Sequence, residues 1–127
     1  MTADAIKDIH QILILRASPS LNEFSYAMSP FVQSQSKKEW FWLLRCAPGV
    51  LAIPHAKGKR HLTIERHGKK ALDPDNLIGG AKCCITDNLK KLKLIVDDSD
   101  SSLLLDAKNV ALQPGEKPHT ILILRDI

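Results

Sequence analysis

The residues best suited to chemistry lie in "LDPDNLIGGAK", 72 to 82, where Asp73 and Asp75 flank Pro74 and are followed by Asn76, a glycine pair and Lys82. Proline fixes its own backbone and biases the preceding residue away from helix, so the two carboxylates sit on a defined strand-to-helix turn. One of them has an ordinary use, because Asp75 or Asn76 can cap the helix that follows. Capping needs no second acid. A further acidic stretch, "VDDSD" at 96 to 100, lies beyond the other end of that helix and returns beside the pair if the chain folds back. Three carboxylates gathered without a partner repel one another and hold their protons, a conflict that an oxygen-seeking cation such as Mg²⁺ removes.

Lys82 follows Asp75 by seven positions, which at ~3.6 residues per turn keeps it within about 20 degrees of the same helix face. Helical side chains lean toward the N-terminus, so its ammonium can approach the carboxylates, although many helix lysines only face solvent. Asp87 falls near the opposite face and is expected to pair with Lys90 or Lys91. Gly79 and Gly80 each cost a helix roughly 1 kcal/mol relative to alanine, which implies either a close approach to their backbone, by a partner helix across a dimer interface or a DNA phosphate, or simply a flexible loop.

Other metal chemistries fit poorly. A calcium-binding EF-hand counted from Asp73 would need an oxygen ligand and a glycine where the chain has Leu77 and Ile78. His10, His55, His61, His67 and His119 form no HExxH pair and there is no CxxC, so zinc has little support and each histidine reads as structural or solvent-facing. Upstream, "KGKR" supplies Lys57, Lys59 and Arg60, and "RHGKK" supplies Arg66, Lys69 and Lys70. Such cations hold a phosphate backbone while metal-bound carboxylates act on one phosphodiester, although either run alone also suits a solvated turn.

These residues need elements to carry them. The runs "ILIL" at 12 to 15 and 121 to 124 suggest strands buried on both faces near the middle of a sheet. "SPSLNEF" and "AMSPFVQSQS" read as a long, mobile loop. A helix is expected from Ser36, with Glu39 completing a reciprocal cap, through Trp40, Leu43, Leu44 and Ala47 to Pro48 and Gly49. "RHLTIERHG" alternates as a half-buried strand. From Asp75 a second helix presents Ile78, Ala81, Ile85, Leu89 and Leu92 as one stripe. Segments 102 to 112 and 119 to 125 suggest a closing pair of strands joined by "QPGEKP". The expectation is an α/β or α+β fold, a small mixed sheet with two main helices, in a single domain over 1–127.

With 127 residues, 44% hydrophobic and 25% charged, the chain can bury one core and is not expected to be disordered. No apolar run approaches a membrane span, and "MTADAIKDIHQ" lacks a secretory pattern, so a cytoplasmic protein is expected. Three cysteines, two adjacent, suit a reducing compartment and small buried side chains rather than a disulfide framework. A net charge of +4 favours a polyanionic partner without specifying one.

"DPDNL" at 73 to 77 and "DNLKKLKLIVDD" at 87 to 98, at this spacing, resemble the RusA-type Holliday-junction resolvases, a family of phage and prophage endonucleases. The motifs cover residues 73 to 98; the strand order and the loop "SPSLNEF" agree more loosely. The resemblance implies a bacterial cytoplasm as the setting and a Mg²⁺-dependent homodimer, with no organic cofactor, that nicks four-way junction DNA. Asp73, Asp75 and Asp98 are then the essential acids and metal ligands, and Asp97 a near neighbour. Where well-known members carry a catalytic lysine this chain has Gly79, and Lys82 resembles the lysine of longer "DNLxGGxK" phage variants. The mechanism so implied is in-line hydrolysis by a metal-activated water, with Lys82 stabilising developing charge. Two alternatives are a branched-DNA-binding module of the same fold without cleavage, and an endonuclease acting on other branched DNA.

Overall fold

Four stretches in which branched apolar residues alternate with polar ones pair into one sheet in a computed structural model, which describes residues 9–19 and 30–127. Strand β1 covers Ile9–Ile14, β2 Arg60–Gly68, β3 Leu103–Ala111 and β4 His119–Asp126, in the spatial order β1-β4-β2-β3. β4 runs antiparallel to both neighbours, whereas β2 and β3 are parallel. A parallel pair requires a crossover, and here the chain between β2 and β3 contains the helical segment that carries the candidate site.

Helix α1 spans Pro30–Arg45 and helix α2 Pro74–Ala81; α2 continues through a π-helical turn, Lys82–Thr86, into the short helix α3, Asp87–Lys91. Trp40 and Leu44 from α1, with Ala81, Cys84, Ile85 and Leu89 from the second segment, join Ile12, Ile14, Leu62, Ile64, Leu122 and Leu124 of the sheet in one core. This is a two-layer α+β domain with a mixed sheet and two main helical segments, as the sequence leads one to expect.

Several local expectations are corrected. The second "ILIL" run, in β4, lies inside the sheet as expected, with Leu122 and Leu124 buried and Ile121 and Ile123 half-buried, but the first is neither central nor buried on both faces. Ile12 and Ile14 are buried while Ile9 and Leu13 are exposed, because the core lies against one side of the sheet and β1 forms its edge. β3 and β4 are joined by the expected turn but do not pair: β4 passes beyond β2 and inserts between it and β1. Helix α1 begins at Pro30, six residues before Ser36, since proline suits a first helical turn. Glu39 takes no part in a cap and instead pairs with Arg16 at 3.0 Å. Much of the loop expected before α1, residues 20–29, lies outside the described residues. Among the described residues, no helix is long and apolar enough to cross a membrane.

Candidate functional site

At the N-terminal end of α2 the acids are held by local structure. Asp73, not Asp75 or Asn76, is the cap, because Pro74 occupies the first helical position and puts the boundary one residue earlier. Both carboxylate oxygens of Asp73 are engaged: Oδ1 accepts from the Asn76 amide at 2.9 Å and Oδ2 from the Asn76 side chain at 3.1 Å. Asp75 is exposed in the first turn. The turn is fixed from β3 by Asn109, whose side chain donates to the Leu72 carbonyl at 2.8 Å and accepts from the Leu72 amide at 3.1 Å, as a neighbouring strand would. The sequence gives no sign of this role for Asn109. Arg66 donates to the carbonyls of Ser18 (2.8 Å) and Lys70 (2.9 Å), closing a tight turn from which Lys69 and Lys70 project into solvent. All three cations line an open cavity of about 530 Å³.

The other end of α2 is built by a change of helical pitch and a reversal. Lys82 opens the π turn, and the Thr86 hydroxyl donates to the Lys82 carbonyl at 2.8 Å. A π turn holds one residue more than an α turn and is frequent at functional sites. It brings Cys84 and Asn88 into the core beside the expected Ile85 and Leu89; Asn88 Nδ2 donates to the carbonyls of Cys84 (2.6 Å) and Lys37 (2.9 Å). Asp87 pairs with Lys37 at 3.2 Å, not with Lys90 or Lys91 as spacing suggests, because α1 packs alongside.

After α3, Lys93 adopts a left-handed backbone, φ 63, which turns the chain back so that Leu94 and Ile95 are buried and the acidic stretch follows. Within that stretch Asp97 is engaged by Lys90 at 3.0 Å and accepts from the Asp98 amide at 2.9 Å. The Lys90 hydrogen bond, with the Asp98 amide and the Lys90 charge behind it, holds the Asp97 carboxyl below its usual range. Asp98 itself is exposed. It lines a cavity of about 280 Å³ together with Lys82, Lys59, Ile78, Asp100 and Leu104.

Lys82 and Asp98, nominated separately from the sequence, thus share one space. Asp73 and Asp75 do not line it. From Asp75 to Lys82 the helix rises about 10 Å at ~1.5 Å per residue, so the pair stands about two turns away. Among the described residues, no three His, Cys, Asp or Glu side chains form a group able to hold a metal ion.

The basic residues divide. Arg60, which the sequence places on a phosphate-binding surface, is instead 2% exposed. Its guanidinium donates to Asp126 (2.7 Å) and to the carbonyls of Leu94 (2.8 Å) and Pro54 (2.9 Å), a set of acceptors that lets a charge be buried. Lys57 and Lys59 are exposed. They stand at one end of β2 and Lys69 and Lys70 at the other, separated by about 26 Å at ~3.3 Å per strand residue. The two runs are close in sequence but not in space.

Three histidines, His61, His67 and His119, occupy the sheet face opposite the core. Lys108 and His67 both contact Glu65, at 3.2 and 3.3 Å, and the His67 ring stacks on His119 at 4.2 Å. Burial alone would raise the Glu65 carboxyl, but the Lys108 and His67 hydrogen bonds and charges outweigh it and hold it below the ordinary glutamate range. His61 lies between Asp106 (2.7 Å) and Arg125 (2.9 Å). These contacts join β2 to β3 and β4, which is a structural use. In comparisons with known proteins, no family model matches the chain and no curated protein matches it by sequence.

Proposed function

We propose that the protein is a Mg²⁺-dependent, structure-selective endodeoxyribonuclease that resolves four-way DNA junctions by paired nicks and acts as a homodimer. The observation that carries this reading is the shared cavity at the C-terminal end of α2, where a lysine from the helix and an aspartate from the following loop face the same space. A phosphodiester is an anion whose hydrolysis builds further negative charge. Lys82 binds the scissile phosphate and stabilises that charge, and Asp98 orients the attacking water or accepts its proton. Of the acids, Asp98 and Asp100 line this cavity and offer the carboxylate oxygens that a hard ion prefers, whereas Asp73 and Asp75 stand about two turns away and do not join them in one cation site. Magnesium, when bound, supplies charge neutralisation and a water of lowered pKa. Lys57, Lys59, Lys69 and Lys70 supply phosphate contacts along the DNA. A four-way junction has near two-fold symmetry, so an isologous dimer presents one site to each of two opposed strands.

A second reading has a specific observation in its favour. Both oxygens of Asp73 are engaged by Asn76, which suits a branched-DNA-binding module that does not cut. The test is cleavage of an end-labelled synthetic four-way junction with Mg²⁺ or EDTA, beside a linear duplex and a fork, using wild type and Asp98→Asn. Symmetric nicks that need Mg²⁺ and vanish in the variant are expected. Tight junction binding without nicking selects the second reading, and preferential cutting of the fork replaces the resolvase with a nuclease for other branched DNA.

A further inference from the structure

The cavity at the C-terminal end of α2 contains a residue to which the mechanism above gives no part in the chemistry. Lys59 belongs to the loop before β2, an element separate from those that carry Lys82 and Asp98, yet it lines the same space of about 280 Å³. Its backbone is held firmly. The Lys59 carbonyl accepts from the Ile127 amide at 3.3 Å, and the next residue, Arg60, donates its amide to the Ser102 carbonyl at 3.2 Å. The buried Arg60 guanidinium then bonds to the Pro54 carbonyl at the start of the Lys59 loop and to the Leu94 carbonyl, four residues before Asp98. One buried cation therefore supports both the lysine loop and the chain that delivers the aspartate. Lys57, two residues away, lines a neighbouring cavity with Asp126 and does not share this one.

The geometry points to Lys59 as a second phosphate-contacting cation, so that the cavity is a phosphodiester site in which a loop lysine and a helix lysine take the two non-bridging oxygens. This deepens the nuclease reading and rests on it for the identity of the polymer. A phosphodiester presents two such oxygens, and an ammonium is a compact point charge that binds one without a fixed fork geometry, so two lysines from different elements suit it. Ile78 and the half-exposed Leu104 give the cavity an apolar wall against which deoxyribose can rest. The arrangement also bears on position 79, where glycine stands: a second cation reaches the site from β2's approach instead of from the helix.

The test uses the full chain, labelled with ¹⁵N and titrated with thymidylyl-(3′→5′)-thymidine, alongside Lys59→Ala, Lys82→Ala and, as a control, Lys117→Ala, which removes an exposed lysine of the turn between β3 and β4. Amide shifts at Lys59, Lys82 and Leu104 should follow one isotherm. Lys59→Ala and Lys82→Ala should each weaken it at least fivefold, and Lys117→Ala less than twofold. Single-turnover nicking of a saturated junction should fall at least tenfold in Lys59→Ala and remain near wild type in Lys117→Ala. If Lys59→Ala binds the dinucleotide as wild type does, or matches Lys117→Ala in nicking, the assignment is overturned while the nuclease reading stands. If both lysines bind the dinucleotide but no junction is cut, the nuclease reading fails and the phosphodiester site stands.

Discussion

The two ends of α2 carry the same kinds of side chain, carboxylates beside basic residues, in different states of engagement. At the N-terminal end Asp73 caps the helix, Arg66 closes a turn and Asn109 substitutes for a strand partner, so the polar groups mainly hold the backbone. At the C-terminal end that work is done by neighbours. Asp97 takes Lys90 and Arg60 takes the buried carbonyls, which leaves Asp98, Lys82 and Lys59 facing one cavity. The contrast separates residues that make a site from residues that support one, a distinction that residue type alone does not give.

Substitutions at four positions can break or sharpen this contrast. The largest effect is expected from Arg60→Met, which leaves buried carbonyls and Asp126 without their partner and should cost about 3–5 kcal/mol of stability in urea unfolding. A loss under about 1 kcal/mol would remove Arg60 as the common support. Asp98→Asn should next reduce junction nicking by roughly a hundredfold, the scale of a lost general base, with the unfolding midpoint unchanged. At the other end the order reverses. Asp73→Ala should cost about 1 kcal/mol as a lost cap, and Asp73→Ser should recover most of it. If Asp73→Ser also nicks as wild type does, Asp73 is a cap only; if it is stable and inactive, Asp73 also serves the chemistry.

The smallest effect concerns the open sheet face. The Glu65 carboxyl is held below the ordinary glutamate range in the folded protein by Lys108 and His67, so its contribution is present above the unfolded pKa and is lost as pH falls through the folded one. Glu65→Gln should therefore be less stable than wild type near neutrality, and the two should converge at low pH in urea titrations. A constant difference would show that Glu65 acts through packing.

Much of the architecture is legible because burial has a period. Leu62 and Ile64 alternate, and Ala81, Ile85 and Leu89 recur on one helical stripe, and all five are buried. Pairing order has no such signature: nothing in "TILIL" distinguishes a strand paired to β3 from one inserted between β1 and β2. The start of α1 is hard to read because Ser36 and Glu39 form a sound capping pattern, whereas the proline start at Pro30 is less conspicuous. Arg60 reads as a surface cation because arginine is seldom buried without partners, and its partners come from three separate stretches of chain, two of them remote in sequence. The approach of Asp98 to Lys82 depends on the left-handed turn at Lys93, which a lysine does not announce. Neither does sequence spacing reveal that β2 parts the two basic runs.

The insertion of β4 also orders events during synthesis. Ile14 pairs with Thr120, and among the described residues β1 meets no strand but β4, so this side of the sheet waits for that pairing until residues 119–126 have left the ribosome. Until then the apolar run beginning at Ile12 has no native strand partner in the nascent chain. Contacts this remote in sequence form slowly, and an unpaired apolar strand is a target for aggregation or chaperone capture. The strand order that gives the finished sheet its centre thus sets the period in which the unfinished chain is most exposed.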